Sequence, residues 1–205
     1  MRQLIDGYRR FRGNHWPEYR DLYRELSRYG QKPPTLIIAC SDSRVDPGSI
    51  FDAQPGEIFV VRNVANLVPP YEEGDGLHGT SAAIEFAVKV LNVDMILVLG
   101  HGDCGGVSAA LKGDPLGDSE FLAKWIELIN PARAKLAHLD PADPAAKEAL
   151  ECESIKLSIE RLMTFPFVAA AVAAGGLVLE GARFRVFDGR LEWLDKTTGE
   201  FSRVE

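Results

Sequence analysis

The stretch that decides the fold is residues 35–44, TLIIACSDSR. Its first six residues form an uninterrupted apolar run, the pattern of a β-strand that is buried on both faces. Two more runs of this kind follow at 58–62 and 95–99, and residues 80–91 between them carry apolar side chains at the 3.6-residue period of a helix. A strand, a helix and a strand at this spacing form a crossover unit, which predicts a parallel sheet.

The rest of the chain adds helices and a few short strands. An N-terminal helical arm is expected over residues 1–30, with a break between Gly13 and Pro17; it would either pack on a partner chain or expose a solvated face. Later segments predict helices at 121–128, 145–163 and 166–172, and short strands at 177–179, 184–186 and 191–193, the last two joined by a turn at 188–189. No linker separates these parts. We therefore predict a single domain, 1–205, of the α/β class: a central, mainly parallel β-sheet flanked by helices.

Composition excludes several functional classes. The chain has 205 residues, of which 46% are hydrophobic and 26% charged, as in an ordinary globular protein rather than a disordered one. The formal net charge of -7 argues against a nucleic acid partner, because binding to phosphates requires a basic surface. No apolar stretch is long enough to cross a membrane, and residues 1–12 do not resemble a secretory signal. Only three cysteines are present, so we expect a reducing, cytoplasmic setting.

Residues with metal-binding chemistry follow the first and third predicted strands. Cys40 ends the first, and His101 and Cys104 follow the third within the sequence GHGDCGG. Ligands of open parallel sheets bind at the carboxyl ends of the strands, so these side chains should meet there. Each alone would fit a buried thiol or a core histidine. Two thiolates and one imidazole together predict a zinc site with its fourth position open, as in catalytic zinc centres.

Asp42 and Arg44 supply a second feature of this edge. In an extended segment, alternate residues share a face, so Cys40, Asp42 and Arg44 would point toward one pocket. An arginine beside an aspartate keeps the carboxylate ionised and fixes its orientation. The pair would then orient a zinc-held water, although an ordinary ion pair at a strand end would have the same sequence.

Three motifs in this order and spacing resemble the beta-class carbonic anhydrases: CSDSR at 40–44, RNVAN at 62–66 and GHGDCGG at 100–106. The similarity extends from the region of Gln31 to the C-terminal strands. It implies one Zn²⁺ per chain on Cys40, His101 and Cys104, with Asp42 and Arg44 as a catalytic dyad and Asp42 as a fourth ligand only conditionally. It also implies an α/β fold and a homodimer or higher homo-oligomer with its pockets at the subunit interface.

The resemblance also suggests a subtype. In the form of the family whose aspartate closes onto zinc, a Trp stands three residues before the first Cys ligand, where this chain has Ile37. The plant-like open form has a Gln nine residues before that Cys, and Gln31 is present. We therefore expect an open, plant-like site without a remote bicarbonate effector site.

The resemblance extends to substrate contacts. Phe59, Val64 and Phe86 would form a small apolar pocket for carbon dioxide, with Gln31 and the backbone N–H of Gly105 holding bicarbonate oxygens. Phe86 departs from the plant pattern, which has Tyr there, so one pocket hydroxyl is missing. Gly102 also departs, because Ser is common at that position.

The implied reaction is the reversible hydration of carbon dioxide. Zinc would lower the pKa of a bound water from 15.7 toward about 7, and the hydroxide would attack carbon dioxide to give bicarbonate and a proton. Two other readings stay open: hydrolysis of carbonyl sulfide or carbon disulfide at the same zinc ligands, and a non-enzymatic zinc-binding module. A thiol redox protein is disfavoured because the chain has no Cys-x-x-Cys. Cys152 is expected to be a small core residue.

Overall fold

The computed structural model of the chain describes residues 2–72, 76, 78–113 and 118–205. Its centre is a β-sheet, and the strands found among these residues are β1 (Thr35–Cys40), β2 (Ile58–Asn63), β3 (Met95–His101), β4 (Val178–Arg185), β5 (Arg190–Leu194) and β6 (Phe201–Arg203). Their order across the sheet is β2-β1-β3-β4-β5-β6. The first four run parallel, and β5 and β6 are antiparallel to their neighbours. The predicted α/β class with a mainly parallel sheet is confirmed.

Helices flank the sheet and precede it. In chain order they are α1 (Arg2–Arg10), α2 (Trp16–Tyr29), α3 (Pro47–Ile50), α4 (Gly79–Glu85), α5 (Gly105–Lys112), α6 (Phe121–Ile126), α7 (Asn130–Lys135), α8 (Pro144–Leu162) and α9 (Pro166–Ala173). Wider helical turns join α1 to α2 and extend α4 as far as Leu91. The predicted break between Gly13 and Pro17 is wrong: the chain stays helical, and Pro17 lies in the first turn of α2, where its missing N–H is not needed.

The strand β1 is buried over almost its whole length. Residues 36–40 are each at most 5% exposed, because helices cover one face and Ile50, Phe51 and Trp193 pack toward the other. This explains the continuous apolar run of the sequence. Because β1 lies between β2 and β3, the chain segments that leave these three strands emerge at one edge.

The helix α8 lies directly against β3 and β4. Glycines make this approach possible: a Cβ at Gly100 would lie 2.6 Å from Ile155 Cδ1, and one at Gly181 would lie 2.8 Å from Ile155 Cγ2. The side chain of Asp143 caps the helix by accepting the N–H of Ala145. The close packing brings the middle of α8 to the carboxyl edge of the sheet.

One C-terminal strand differs from the prediction. The two short strands expected at 177–179 and 184–186 are a single strand, β4. Its middle residues, Gly181 and Arg183, interrupt the apolar pattern because one faces α8 and the other is a buried arginine. The predicted turn at 188–189 does join β4 to β5.

The N-terminal arm makes few contacts with the rest of its own chain. None of the residues in α1, α2 and the turn between them is buried. Leu4 is 81% exposed and Tyr8 60% exposed, whereas Leu26 meets the loop at Gly56. Within the described residues, no helix is both long and apolar enough to cross a membrane.

Candidate metal centre and active site

Three predicted zinc ligands converge at the carboxyl edge of the sheet. Cys40 ends β1, His101 ends the neighbouring β3, and Cys104 follows in the next turn. One ligand atom from each residue lies within 4.8 Å of those of the other two, and all three residues are buried. Because the two strands are adjacent and parallel, the sheet itself brings residues 61 positions apart in the chain together.

The orientation of His101 fits a metal ligand. Its Nδ1 lies 2.9 Å from the carbonyl oxygen of Gly102 and donates to it, so that in the neutral imidazole Nε2 carries the lone pair. Among the described residues, Nε2 has no hydrogen-bond partner although it is buried. A buried nitrogen with a free lone pair that faces two thiols is the arrangement zinc requires.

The two thiols are coupled to each other. The hydrogen bond from Cys104 lowers the pKa of Cys40 well below that of an ordinary thiol, and the backbone N–H groups of Asp42 and Ala65 act in the same direction. The hydrogen bond to Cys40, together with burial, raises the pKa of Cys104. Of the two thiols, Cys40 therefore loses its proton more easily than Cys104, and a metal ion bound to both would displace both protons.

Asp42 and Arg44 form a bidentate ion pair beside this group. Arg44 Nε donates to Asp42 Oδ1 at 2.9 Å, and its Nη2 donates to Oδ2 at 2.7 Å. These bonds hold the pKa of Asp42 far below its usual range. Asp42 Oδ2 is 4.0 Å from His101 Nε2, so the carboxylate borders the ligand group.

The segment that carries the dyad is a turn and is not extended. The N–H of Val45 donates to the carbonyl of Asp42, and the N–H of Arg44 donates to Asp42 Oδ1. The predicted extended geometry is therefore wrong, although the expected juxtaposition of Asp42 and Arg44 is present. An aspartate that accepts the N–H two residues on is a common turn former, and it competes with strand geometry here.

Arg62 shapes this turn, and sequence reasoning gave it no role. From β2 its Nε donates to the carbonyl of Cys40 at 2.9 Å, and its Nη2 donates to that of Asp42 at 2.6 Å. The arginine thus holds the backbone on both sides of Ser41. The sequence does hold one indication of this role: Arg62 is a charged residue within an otherwise apolar strand, directly before Asn63.

Val64 and Gly105 lie near the ligand group. Gly105 is the first residue of α5, directly after Cys104. A Cβ at Gly106 would lie 3.3 Å from Val64 Cγ1, so the start of α5 packs closely on the segment after β2. Val64 itself is 39% exposed, which leaves an apolar surface beside the site.

The other three predicted substrate residues lie away from the ligands of their own chain. Phe59 pairs with Leu36 in the sheet register, four residues before Cys40, or roughly 13 Å along the strand. Its ring contacts that of Phe86 in a tilted arrangement with centroids 5.7 Å apart, and Phe86 is 43% exposed. Gln31 is exposed in the loop before β1. The structure brings Phe59 and Phe86 together, but does not bring them to Cys40 within one chain.

Other histidines and the third cysteine lie outside this group. His15, His78 and His138 are exposed. Cys152 is half-buried in α8, and burial raises its pKa to about 12. Its thiol is therefore protonated and unreactive at neutral pH.

Fold and site together define an α/β protein with a candidate metal centre at the carboxyl edge of its sheet. The family model described as carbonic anhydrase matches residues 35–191. A carbonic anhydrase of Pseudomonas aeruginosa is 38% identical over 98% of this chain and 90% of its own length.

Solved structures agree with this match. The structure of the beta-carbonic anhydrase CcaA is similar with a TM-score of 0.92 and 32% identity, covering 100% of this chain and 92% of that one. A chain from the structures of two tetrameric beta-carbonic anhydrases of Sordaria macrospora gives a TM-score of 0.79 at 29% identity, covering 94% of this chain and 95% of that one. The chain belongs to the beta-carbonic anhydrase family, and it is an enzyme of the carbonic anhydrase class.

Proposed function

We propose that this protein catalyses the reversible, zinc-dependent hydration of carbon dioxide to bicarbonate and a proton. The observation that carries the proposal is the buried group of Cys40, His101 and Cys104, in which the free Nε2 of His101 faces two thiols. These residues would hold one Zn²⁺ per chain. When bound there, zinc makes a water molecule acidic enough to supply a nucleophile near neutral pH.

The dyad has a separate role in this proposal. The Asp42 carboxylate accepts a hydrogen bond from the attacking water. This bond turns a lone pair of the water oxygen toward carbon dioxide. Arg44 keeps the carboxylate ionised and in place through two hydrogen bonds of 2.9 and 2.7 Å. The nucleophile is then already oriented when carbon dioxide binds, so no further free energy is needed to orient it during the reaction.

We infer that the site is of the open, plant-like form. Two observations support this: the Asp42 oxygens are bound by Arg44 rather than gathered with the three ligand atoms, and Ile37 stands where the closing form has Trp. Asp42 would become a fourth ligand only if Arg44 released it.

The substrate pocket in this proposal requires a second copy of the chain. Gln31, Phe59 and Phe86 lie away from the ligands of their own chain, so they would contribute to the site of a partner. Val64 and the N–H of Gly105 would complete the pocket from the chain that supplies the zinc ligands. Phe86 is 43% exposed, so its ring is accessible to a second chain, as this arrangement requires.

The N-terminal arm is the element we propose to hold the homo-oligomer together. Leu4, Ile5 and Tyr8 are exposed on α1, and no residue of α1 is buried. Residues 1–30 carry seven arginines against four acidic residues, whereas the whole chain has a net charge of -7. A basic arm would therefore be attracted to the acidic body of a second copy. A cytoplasmic location stays a prediction of the sequence.

The test is zinc content and carbon dioxide hydration measured on one purified sample. We expect one zinc per chain and a hydration rate that falls when a chelator removes the metal and returns when zinc is added. Assays for sulfide release from carbonyl sulfide and carbon disulfide run in parallel. A loaded protein that hydrates no carbon dioxide, or that acts on a sulfide substrate instead, would contradict the proposal.

A further inference from the structure

A single peptide group, between Asp103 and Cys104, is held from both sides. Its carbonyl oxygen accepts Arg44 Nη2 at 3.1 Å, and its N–H donates to Glu151 Oε1 at 3.4 Å. Asp103 adopts a left-handed backbone conformation, with φ of 58°. This conformation turns the carbonyl toward the dyad and the N–H toward the protein interior.

Glu151 is a buried carboxylate that the proposed reaction does not use. It is 2% exposed, and its Oε2 accepts Arg183 Nε at 3.0 Å and Nη2 at 2.8 Å. Arg183 is itself 5% exposed and also contacts Glu148 and Glu192. Both oxygens of Glu151 therefore have partners, one on Arg183 and one on the Cys104 amide.

The Cys104 amide needs such an acceptor. Cys104 immediately precedes the first turn of α5, where backbone N–H groups have no partner within the helix. A buried donor without an acceptor is costly, and Glu151 supplies the acceptor. The carboxylate is carried there by α8, one turn before Ile155, the residue that packs on Gly100 and Gly181.

A buried ion pair of this kind is weak evidence for a role in stability alone. Removing two charges from water costs several kcal/mol per ion. Well-packed apolar residues in place of a buried ion pair often give a protein of equal stability. The pair formed by Glu151 and Arg183 is better explained by what it touches. Five groups contact one another in sequence from the interior to the dyad, and their charges alternate in sign: Arg183, Glu151, the peptide dipole, Arg44 and Asp42.

We propose that Glu151 is a positioning residue for the dyad, acting through the peptide group between Asp103 and Cys104 on Arg44 and hence on Asp42. A carboxylate on the N–H polarises the peptide and makes its carbonyl a stronger acceptor for the Arg44 guanidinium. Arg44 is then held between two acceptors, the carbonyl of Asp103 and the carboxylate of Asp42. Because Arg44 is held in place, the Asp42 carboxylate that it binds keeps its orientation. The inference rests on the proposed function, in which Asp42 orients the attacking water.

The first test is kinetic and uses Glu151→Gln. The amide keeps the shape and one acceptor oxygen but loses the charge. We expect kcat to fall about tenfold with KM changed less than about twofold, because orientation of the nucleophile is lost while substrate binding is not. Glu148→Gln is the matched control: it removes the same charge from the same arginine but does not touch Cys104, and kcat should stay within about twofold.

A double-mutant cycle tests the route. In an Arg44→Gln background, Glu151→Gln should lower kcat by less than about twofold, because the group on which it acts is gone. A full tenfold loss in that background would mean that Glu151 acts independently of Arg44, and would overturn the proposal. Equal losses from Glu148→Gln and Glu151→Gln would overturn it as well.

The second test does not depend on catalysis or on Glu151 variants that fold poorly. The Arg44 side chain is about half exposed, so Arg44→Gln should fold, and the amide proton of Cys104 can be followed by NMR in the zinc-loaded protein. We expect it to move upfield as its hydrogen bond to Glu151 weakens, by more than the amide proton of Gly105, which is not part of the bridged peptide. A Cys104 resonance that stays in place would refute the bridge. If it moves but the wild-type protein hydrates no carbon dioxide, the proposed function fails while the bridge stands.

Discussion

The two ends of the central sheet differ in what one chain supplies. At the carboxyl end, Cys40, His101 and Cys104 meet in a buried group with Asp42 and Arg44 beside it. At the amino end, Gln31 and Phe86 are exposed, Phe59 is half-buried beneath Phe86, and the N-terminal arm has no buried residue. One chain thus contains a complete candidate metal site but only separated parts of the predicted substrate pocket. Metal binding should therefore not require assembly into an oligomer, whereas catalysis should.

The largest effect should follow from changes to the metal ligands. Cys40→Ser and Cys104→Ser each replace a thiolate with a weak ligand, so zinc content should fall far below one per chain. Hydration should fall by more than about a hundredfold, since even the outer partners of metal ligands are worth about 10–100-fold. The matched control is Cys152→Ser, a half-buried thiol outside the group, which should keep zinc and activity. Normal zinc content in both ligand variants would show that the metal, if any, binds elsewhere.

The next effect separates the dyad from the ligands. Asp42→Asn and Arg44→Gln should keep one zinc per chain, because neither residue is a ligand in the open form. Hydration should fall about a hundredfold, the size typical of lost general acid–base assistance. Asp188→Asn serves as a control, since that carboxylate pairs with Arg185 and Arg190 rather than with Arg44. Near-normal turnover in both dyad variants would reduce the pair to a structural ion pair.

A smaller effect is expected at the amino end. Leu4→Glu places a charge on the exposed apolar side of α1, which should weaken assembly and lower activity at low protein concentration by about tenfold, or about 1.4 kcal/mol. Zinc should remain at one per chain, because the ligands all come from one chain. Gln3→Glu adds the same charge at a neighbouring polar position and should change little. Sedimentation and hydration rate measured over the same concentration range provide the check. Full activity in a dissociated variant would break the distinction between the two ends.

The smallest effect concerns pH and bicarbonate. The hydrogen bonds from Arg44 lower the pKa of Asp42, so its contribution to stability is present above the ordinary aspartate pKa of about 3.9 and is lost only as pH falls well below that value. Asp42 should therefore stay ionised at neutral and mildly acidic pH, and the rate should rise with pH along a single titration. Added bicarbonate should inhibit only as a product does. Steeply cooperative inhibition would point to the closed form.

Much of this architecture could be predicted from sequence. The bounds of β1 were predicted correctly because an apolar run leaves little choice for a strand buried on both faces. The approach of Cys40 to His101 and Cys104 followed from the rule that ligands gather at the carboxyl ends of parallel strands. The strand β4 was predicted in two pieces because Gly181 and Arg183 interrupt its apolar pattern.

What the sequence could not provide is set by contacts between distant residues. Glu151 lies in a segment correctly predicted as helical, but a glutamate is normally expected at the surface, and its burial depends on Arg183 from another element. The turn at Asp42 depends on Arg62 in the same way. The contributions of Gln31, Phe59 and Phe86 to substrate binding stay predictions, because they concern a second chain.

The most direct test of the account is a crystal structure of the zinc-loaded protein at neutral pH, with the metal located by anomalous scattering at the zinc edge. We predict one zinc per chain on Cys40, His101 and Cys104, at about 2.3 Å from each sulfur and 2.0–2.1 Å from the nitrogen. Asp42 should remain on Arg44, and Phe59 and Phe86 of a second chain should face the metal. A metal bound elsewhere, Asp42 coordinated to zinc, or a pocket closed by residues of one chain alone would contradict the account.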